Sequence, residues 1–190
     1  QGRIPMINDV LQETRERMAK SEKAFEKEMT KVRTGRASQT MLDNVMVDYY
    51  GTQTPLPQMA TVSIPESRLI TVKPWDVSVI NQVEKAILKA NIGLTPSNDG
   101  KLIRIAIPPL TEDRRKEIAK SVAKTCEDFK VAVRNIRRDS NEMLKELQKD
   151  GDISEDDSFK GQKMVQDATD EAIKRLDDIY AAKEKEILEV

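Results

Sequence analysis

Residues 111–151 read TEDRRKEIAKSVAKTCEDFKVAVRNIRRDSNEMLKELQKDG. Pro108 and Pro109 end whatever precedes this stretch. Thr111 is a good N-cap, and Glu112 and Asp113 suit the positive start of a helix. Gly151 fits its stop. The interval predicts one helix over 112–149, about 57 Å long at 1.5 Å per residue. Apolar residues recur along it at steps of three and four. At 100° per residue, with Lys130 set at zero, Ile118, Val122, Cys126, Phe129, Val133, Ile136, Met143, Leu144 and Leu147 fall between about −140° and −40°. A helix with one such apolar side needs partners.

Two further segments supply them. Ile7, Leu11, Thr14, Met18, Ser21, Phe25, Met29 and Val32 form a seam that predicts a helix from Ile7 to Arg33. Ser154 caps a third, with Glu155, Asp156 and Asp157 in its first turn. Its seam runs Val165, Ala168, Ala172, Leu176, Ile179, Lys183 and Ile187. The very short connection between the last two helices makes them antiparallel neighbours, and three seams predict a long antiparallel three-helix bundle.

The stretch 35–109 differs. It contains seven of the eight prolines, which punctuate it as no long helix allows. Val45, Val47 and Tyr49 alternate before a turn at Gly51. Residues 60–64, 69–73 and 101–107 are short and β-rich. One helix fits Val77 to Asn91, with Gly93 beyond it. The fold class is therefore α+β. Residues 6–34 and 110–190 form the bundle, and 35–109 form a small α/β domain inserted on two chain connections. Arg33, Thr34, Gly35 and Arg36 make one connection and Ile107, Pro108 and Pro109 the other, and together they read as a hinge. Gly35 is where the chain must bend, so Arg33 and Arg36 read more as braces than as contacts to a partner. Residues 1–5 precede Met6 and read as an expression scar.

Composition excludes several classes of function. No histidine is present, so the commonest general base and metal ligand is missing. The single cysteine, Cys126, lies on the apolar face of its helix and reads as an inert core thiol. A chain without disulfides fits a reducing compartment. No phosphate-binding glycine loop occurs, and no apolar run is long enough to span a membrane. The carboxylates of Glu155–Asp157 are explained by helix-start electrostatics. Trp75 and the pair Tyr49–Tyr50 have the chemistry to stack on bases, although core or edge packing is the simpler reading. Catalytic residues, metal and cofactor are all expected to be absent, and the chain is expected not to be an enzyme.

Net charge is −1, yet the charges are not evenly spread. Residues 154–190 hold eleven acids and six bases, a local −5 that masks the rest. On the long helix, Lys116, Lys120, Lys130, Arg134, Arg137, Arg138, Lys145 and Lys149 fall between about −20° and +100°. Glu117, Asp128, Asp139, Glu142 and Glu146 lie at about 120° to 180°, while Glu112, Asp113 and Glu127 interrupt the basic arc or its edge. A soluble outer helix face normally mixes signs as i,i+4 pairs. Arg134, Arg137 and Arg138 gather within barely more than one turn, and guanidinium forks match phosphate oxygens. The arrangement predicts docking along a polyanion through backbone and shape. A solvated face explains the four outer lysines equally well. A protein-binding coiled-coil adaptor would require exposed apolar patches, whereas the seams read as fully used inside. An enzyme would require convergent polar groups in 35–109, and no such set is evident.

At this point the chain resembles the ribosome recycling factor family. The resemblance rests on Arg33-Thr34-Gly35-Arg36-Ala37-Ser38, on Pro108-Pro109-Leu110-Thr111-Glu112-Asp113-Arg114-Arg115-Lys116, on Val131-Ala132-Val133-Arg134-Asn135-Ile136-Arg137-Arg138-Asp139 and on Ile153-Ser154-Glu155-Asp156-Asp157. It spans Met6 to Val190. It implies a three-helix bundle and a small domain on a flexible hinge, L-shaped like transfer RNA. It implies a cytoplasmic, monomeric factor that binds the post-termination ribosome and, with elongation factor G and that partner's GTP hydrolysis, splits it into subunits for reuse. It further implies that Arg134, Arg137 and Arg138 touch large-subunit ribosomal RNA, and that no membrane is involved.

Overall fold

The computed structural model describes residues 3–90 and 92–189, with side chains from Met6 onward. The chain divides into two compact units: the chain up to Val32 together with Asp113 onward, and Arg33–Glu112 between them.

The first unit contains three helices, α1 (Arg3–Thr30), α3 (Glu112–Lys149) and α4 (Glu155–Leu188). Helix α1 starts earlier than the seam predicts and stops three residues sooner. Its seam turns inward: Ile7, Leu11, Thr14, Met18, Phe25 and Met29 are buried. They meet Val122, Cys126, Val133, Ile136 and Leu144 of α3 and Val165, Ala168, Ala172, Leu176 and Ile187 of α4. Phe25 and Phe129 pack with ring centroids 5.3 Å apart. A polar contact crosses this core, Thr14 to Ser140 at 2.6 Å, and the Thr14 hydroxyl also reaches the Val10 carbonyl. Of residues 1–5, Gln1 and Gly2 lie outside the described residues, and Arg3–Pro5 belong to α1.

Chemistry at the α3–α4 corner explains the antiparallel turn. Gly151 has φ +80°, a left-handed geometry that costs glycine little. The Gly151 and Asp152 amides donate back to the Gln148 and Leu147 carbonyls, satisfying groups that the helix end would orphan. Ile153 is buried beneath the turn, and the Ser154 hydroxyl accepts from the Asp157 amide at 3.1 Å, starting α4.

The second unit has its own core. Strands β1 (Met46–Tyr49) and β2 (Thr52–Pro55) form a hairpin. Strands β3 (Ala60–Glu66), β4 (Leu69–Pro74), β5 (Pro96–Asn98) and β6 (Ile103–Ala106) form an antiparallel sheet ordered β3-β4-β6-β5. Helix α2 (Ile80–Lys89) follows a 3-10 turn at Val77–Val79, so it begins one short turn later than the expected Val77. Its expected end, Asn91, lies outside the described residues. Leu42, Val47, Leu56, Ile70, Val72, Val83, Ile87, Ile103 and Ile105 are buried together. The β1–β2 turn carries Tyr50 and Gly51 at φ +50° and +83°. This is the double left-handed turn usually filled by Asn-Gly, here with a tyrosine in its first position.

Candidate RNA-docking face

Helix α3 holds its basic residues outward because its opposite side is buried in the bundle. Lys116, Lys120, Arg138, Lys145 and Lys149 are exposed, while Arg134 and Arg137 are half-exposed. Lys130 departs from the expected array. Its side chain is only 16% exposed and its ammonium lies 2.5 Å from Asp177 of α4, with Glu127 at 3.7 Å. The hydrogen bond to Asp177, aided by that carboxylate's charge, raises the Lys130 pKa against the opposing effect of burial. Lys130 is therefore fastened within the bundle, and an incoming phosphate would have to compete with Asp177.

Arg137 is aimed by a relay from α4. Its Nη1 donates to Gln166 Oε1 at 3.3 Å, and Gln166 Nε2 donates to Asp170 Oδ1 at 2.9 Å. A neutral amide thus orients the guanidinium without cancelling its charge. Arg134 has Glu127 at 4.0 Å, a loose contact between partly exposed groups that is worth little. Arg138 reaches Asn135 Oδ1 at 3.5 Å. The structure brings Arg134, Arg137 and Arg138 onto one surface with their charges largely unspent. The α4 residues Asp177, Gln166 and Asp170 were missed in the sequence because that helix read as a bulk acidic mask. Its seam register, combined with the short α3–α4 turn, was the signal that could have found them.

The expected hinge residues are fastened into the smaller unit. Arg33 Nη2 donates to the Ile92 carbonyl at 2.9 Å. Gly35 has φ +78°, and a Cβ there would lie 3.2 Å from Leu110 Cγ, so the two connections touch. Thr34 and Arg36 are half-buried. The Ile107 amide donates to the Arg68 carbonyl at 2.8 Å and its side chain is buried, with Pro108 and Pro109 exposed beyond it.

Two readings require correction. The seams do not consume all the apolar residues of the bundle: Val131, Met143, Phe159, Met164 and Leu188 are exposed. Tyr50 and Trp75 lie outside the core, 73% and 66% exposed. Their polar atoms are tied to their own unit, Tyr50 Oη to Asp76 Oδ2 at 3.2 Å and Trp75 Nε1 to Thr61 Oγ1 at 2.9 Å. Cys126 is buried, and burial pushes its thiol pKa up, as suits an unreactive core residue. Among the described residues there is no grouping of three or more acidic or cysteine side chains able to hold a metal, and no helix long and apolar enough to cross a membrane.

Comparison with known proteins gives this surface a context. The family model described as ribosome recycling factor matches residues 25–188. A ribosome-recycling factor of Desulforapulum autotrophicum is 74% identical over 185 residues, covering 97% of this chain and all of the relative. One from Desulfatibacillum aliphaticivorans is 64% identical over 184 residues, with 97% and 100% covered. A solution structure of a ribosome recycling factor superposes with a TM-score of 0.77 at 36% identity, covering 97% of this chain and 98% of the other. A T. thermophilus ribosome recycling factor, described together with E. coli elongation factor G as bound to the E. coli post-termination complex, has a TM-score of 0.64 at 41% identity, with 96% and 99% covered. With most of its length matched by the family model and 97% of it shared with a relative 74% identical, the chain belongs to the ribosome recycling factor family.

Proposed function

We propose that this protein binds the post-termination ribosome and, with elongation factor G, separates its subunits so that they can be reused. The work comes from GTP hydrolysis by that partner, and this chain contributes no catalytic group. It acts as a cytoplasmic monomer. The observation that carries the docking step is the set Arg134, Arg137 and Arg138, presented on one side of a helix whose other side is locked in the bundle. Arginines packed this closely repel one another, and a polyanion relieves that cost. The polyanion is large-subunit ribosomal RNA. Lys116, Lys120, Lys145 and Lys149 extend the contact along the helix, while Lys130 serves mainly the α3–α4 pairing.

The bundle anchors and the smaller unit moves. Arg33, Gly35 and Ile107 are the fixed ends of that unit, so it rotates as one piece on its two connections. Exposed apolar residues would also suit a protein adaptor. Val131, however, stands singly between charged neighbours on its helix and forms no broad patch by itself.

The test is binding of Arg137→Ala to large ribosomal subunits across a salt series. Removing one side chain that neutralises a phosphate should reduce the slope of log K against log salt by about 0.7 to 0.9. The variant should bind more weakly at low salt and show the shallower slope. A folded Arg137→Ala protein with unaltered affinity and slope would remove the centre of the docking reading.

A further inference from the structure

The docking face is wider than one helix. Three contacts fix how α3 and α4 run beside each other: Lys130 with Asp177, Arg137 with Gln166, and Leu144 close to Gly161. They define an antiparallel register in which α4 residues before Gly161 lie beside α3 residues after Leu144. At 100° per residue, with Gln166 at zero, Phe159, Asp170 and Asp177 fall at about +20° to +40° and Lys163 at about +60°. Phe159 and Lys163 therefore share the side of α4 from which Gln166 and Asp177 reach α3. That is the side of the helix pair bearing Arg134 and Arg137. Phe159 lies seven residues from Gln166, about 10 Å along the axis.

Phe159 is 62% exposed, the most exposed large apolar side chain of the bundle among the described residues. Its surroundings carry both signs, with Glu146 of α3 also exposed at its level. Lys163 is one turn on, Lys160 is adjacent, and Lys145 of α3 is exposed at the matching level. Glu155 lies one turn the other way, at the start of α4, with Asp156 and Asp157 beside it. A phenyl ring presents a flat apolar face that any nucleobase can cover, and such stacking requires no cation at the ring itself. Lysines on one flank would hold the backbone beside it.

We propose that Phe159 is a base-stacking residue of the RNA-docking face, receiving an unpaired base of the ribosomal RNA while Lys163 and Lys145 hold the neighbouring phosphates. This rests on the docking reading above and adds to it a contact of a different kind. The three arginines and the lysines read charge, whereas Phe159 reads an exposed base. The surface therefore selects RNA that offers a splayed nucleotide next to a continuous backbone, in preference to a uniform duplex.

The test measures binding of Phe159→Ala, Phe159→Leu, Phe159→Trp, Lys163→Ala and Arg137→Ala to purified large ribosomal subunits over a salt series, with thermal unfolding as the folding control. Phe159→Ala should lose roughly ten-fold or more in affinity with its salt slope unchanged, since stacking releases no counterions. Phe159→Leu should lose nearly as much, and Phe159→Trp should bind at least as well as the parent. Lys163→Ala should instead lower the slope by the increment of a single phosphate. If Phe159→Ala binds like the parent while Arg137→Ala does not, stacking is overturned and the arginine face stands. If Phe159→Leu binds like the parent, the ring serves a general apolar contact with protein, and the proposal fails. Parent-like binding by Arg137→Ala would instead overturn the docking reading on which this one stands.

Discussion

Gly161 shows how closely α3 and α4 approach. A Cβ at this position would lie 3.0 and 3.1 Å from the two terminal methyls of Leu144, which is itself fully buried. Alanine ordinarily improves a helix by about 1 kcal/mol over glycine. Here the gain is offset by crowding that Leu144 has no room to relieve. Gly161→Ala should therefore leave stability flat or lower in the parent, yet raise it in a Leu144→Ala background. Urea unfolding of the four proteins of that cycle measures the difference, and equal effects in both backgrounds would refute the packing argument.

A second residue ties a loop to pH. Asp99 Oδ1 accepts from the Lys101 and Leu102 amides at 2.9 and 2.8 Å, and Arg104 reaches Oδ2 at 2.8 Å. These bonds, the Lys101 amide foremost, lower its pKa from 3.8 to about 2. A depressed carboxylate pKa contributes stability that is present above the ordinary value and lost as pH falls through the folded one. The β5–β6 connection should therefore hold its geometry down to about pH 2 and loosen there. A carboxyl-carbon NMR titration of Asp99 should show its midpoint near that value, and a midpoint near 3.8 would contradict the three-bond cradle.

Among elements, α4 depends on its cap. Ser154→Ala removes the acceptor for the Asp157 amide and should cost about 1 kcal/mol in denaturant unfolding. A change below a few tenths would show that water replaces the hydroxyl without loss. Thr111, Gly151 and Ser154 carried enough chemistry for both ends of α3 and the start of α4 to be placed from the sequence to within a residue or so. Strands β2 and β5 were not legible. TQTP and PSN have no apolar alternation, and their extended form comes from pairing with β1 and β6. The arginines of the candidate site were legible because they belong to one helix and its period alone places them. The fate of Lys130, the aiming of Arg137 through Gln166 and the position of Phe159 were not, because each depends on the register between two helices. The same limit hid Tyr50 and Trp75: exposure on a small sheet depends on which face neighbouring elements cover.

At the scale of the whole molecule, two cores share one chain. The smaller unit buries Leu42, Leu56, Ile70, Ile87, Ile103 and Ile105 in a core cluster made of its own residues. Its two ends meet where Gly35 approaches Leu110. A fragment spanning 33–112 should therefore fold by itself, with dispersed amide resonances and a cooperative thermal transition. A fragment that stays collapsed without fixed side-chain signals would show that the bundle completes its core.

The closeness of Gly35 and Leu110 also bears on how the protein is made. Helix α1 is synthesised long before α3 and α4, and its apolar seam, with Met18 and Phe25, has no partner until they emerge. Joining α1 to α3 through a slack tether of some eighty residues carries a loop-closure cost. If the intervening unit folds first, its adjoining ends shorten the effective tether to a few residues. Roughly four halvings of loop length lower that cost by about 2 kcal/mol. The inserted unit would thus act during biosynthesis as a clasp, bringing the first helix to the place where the later two arrive.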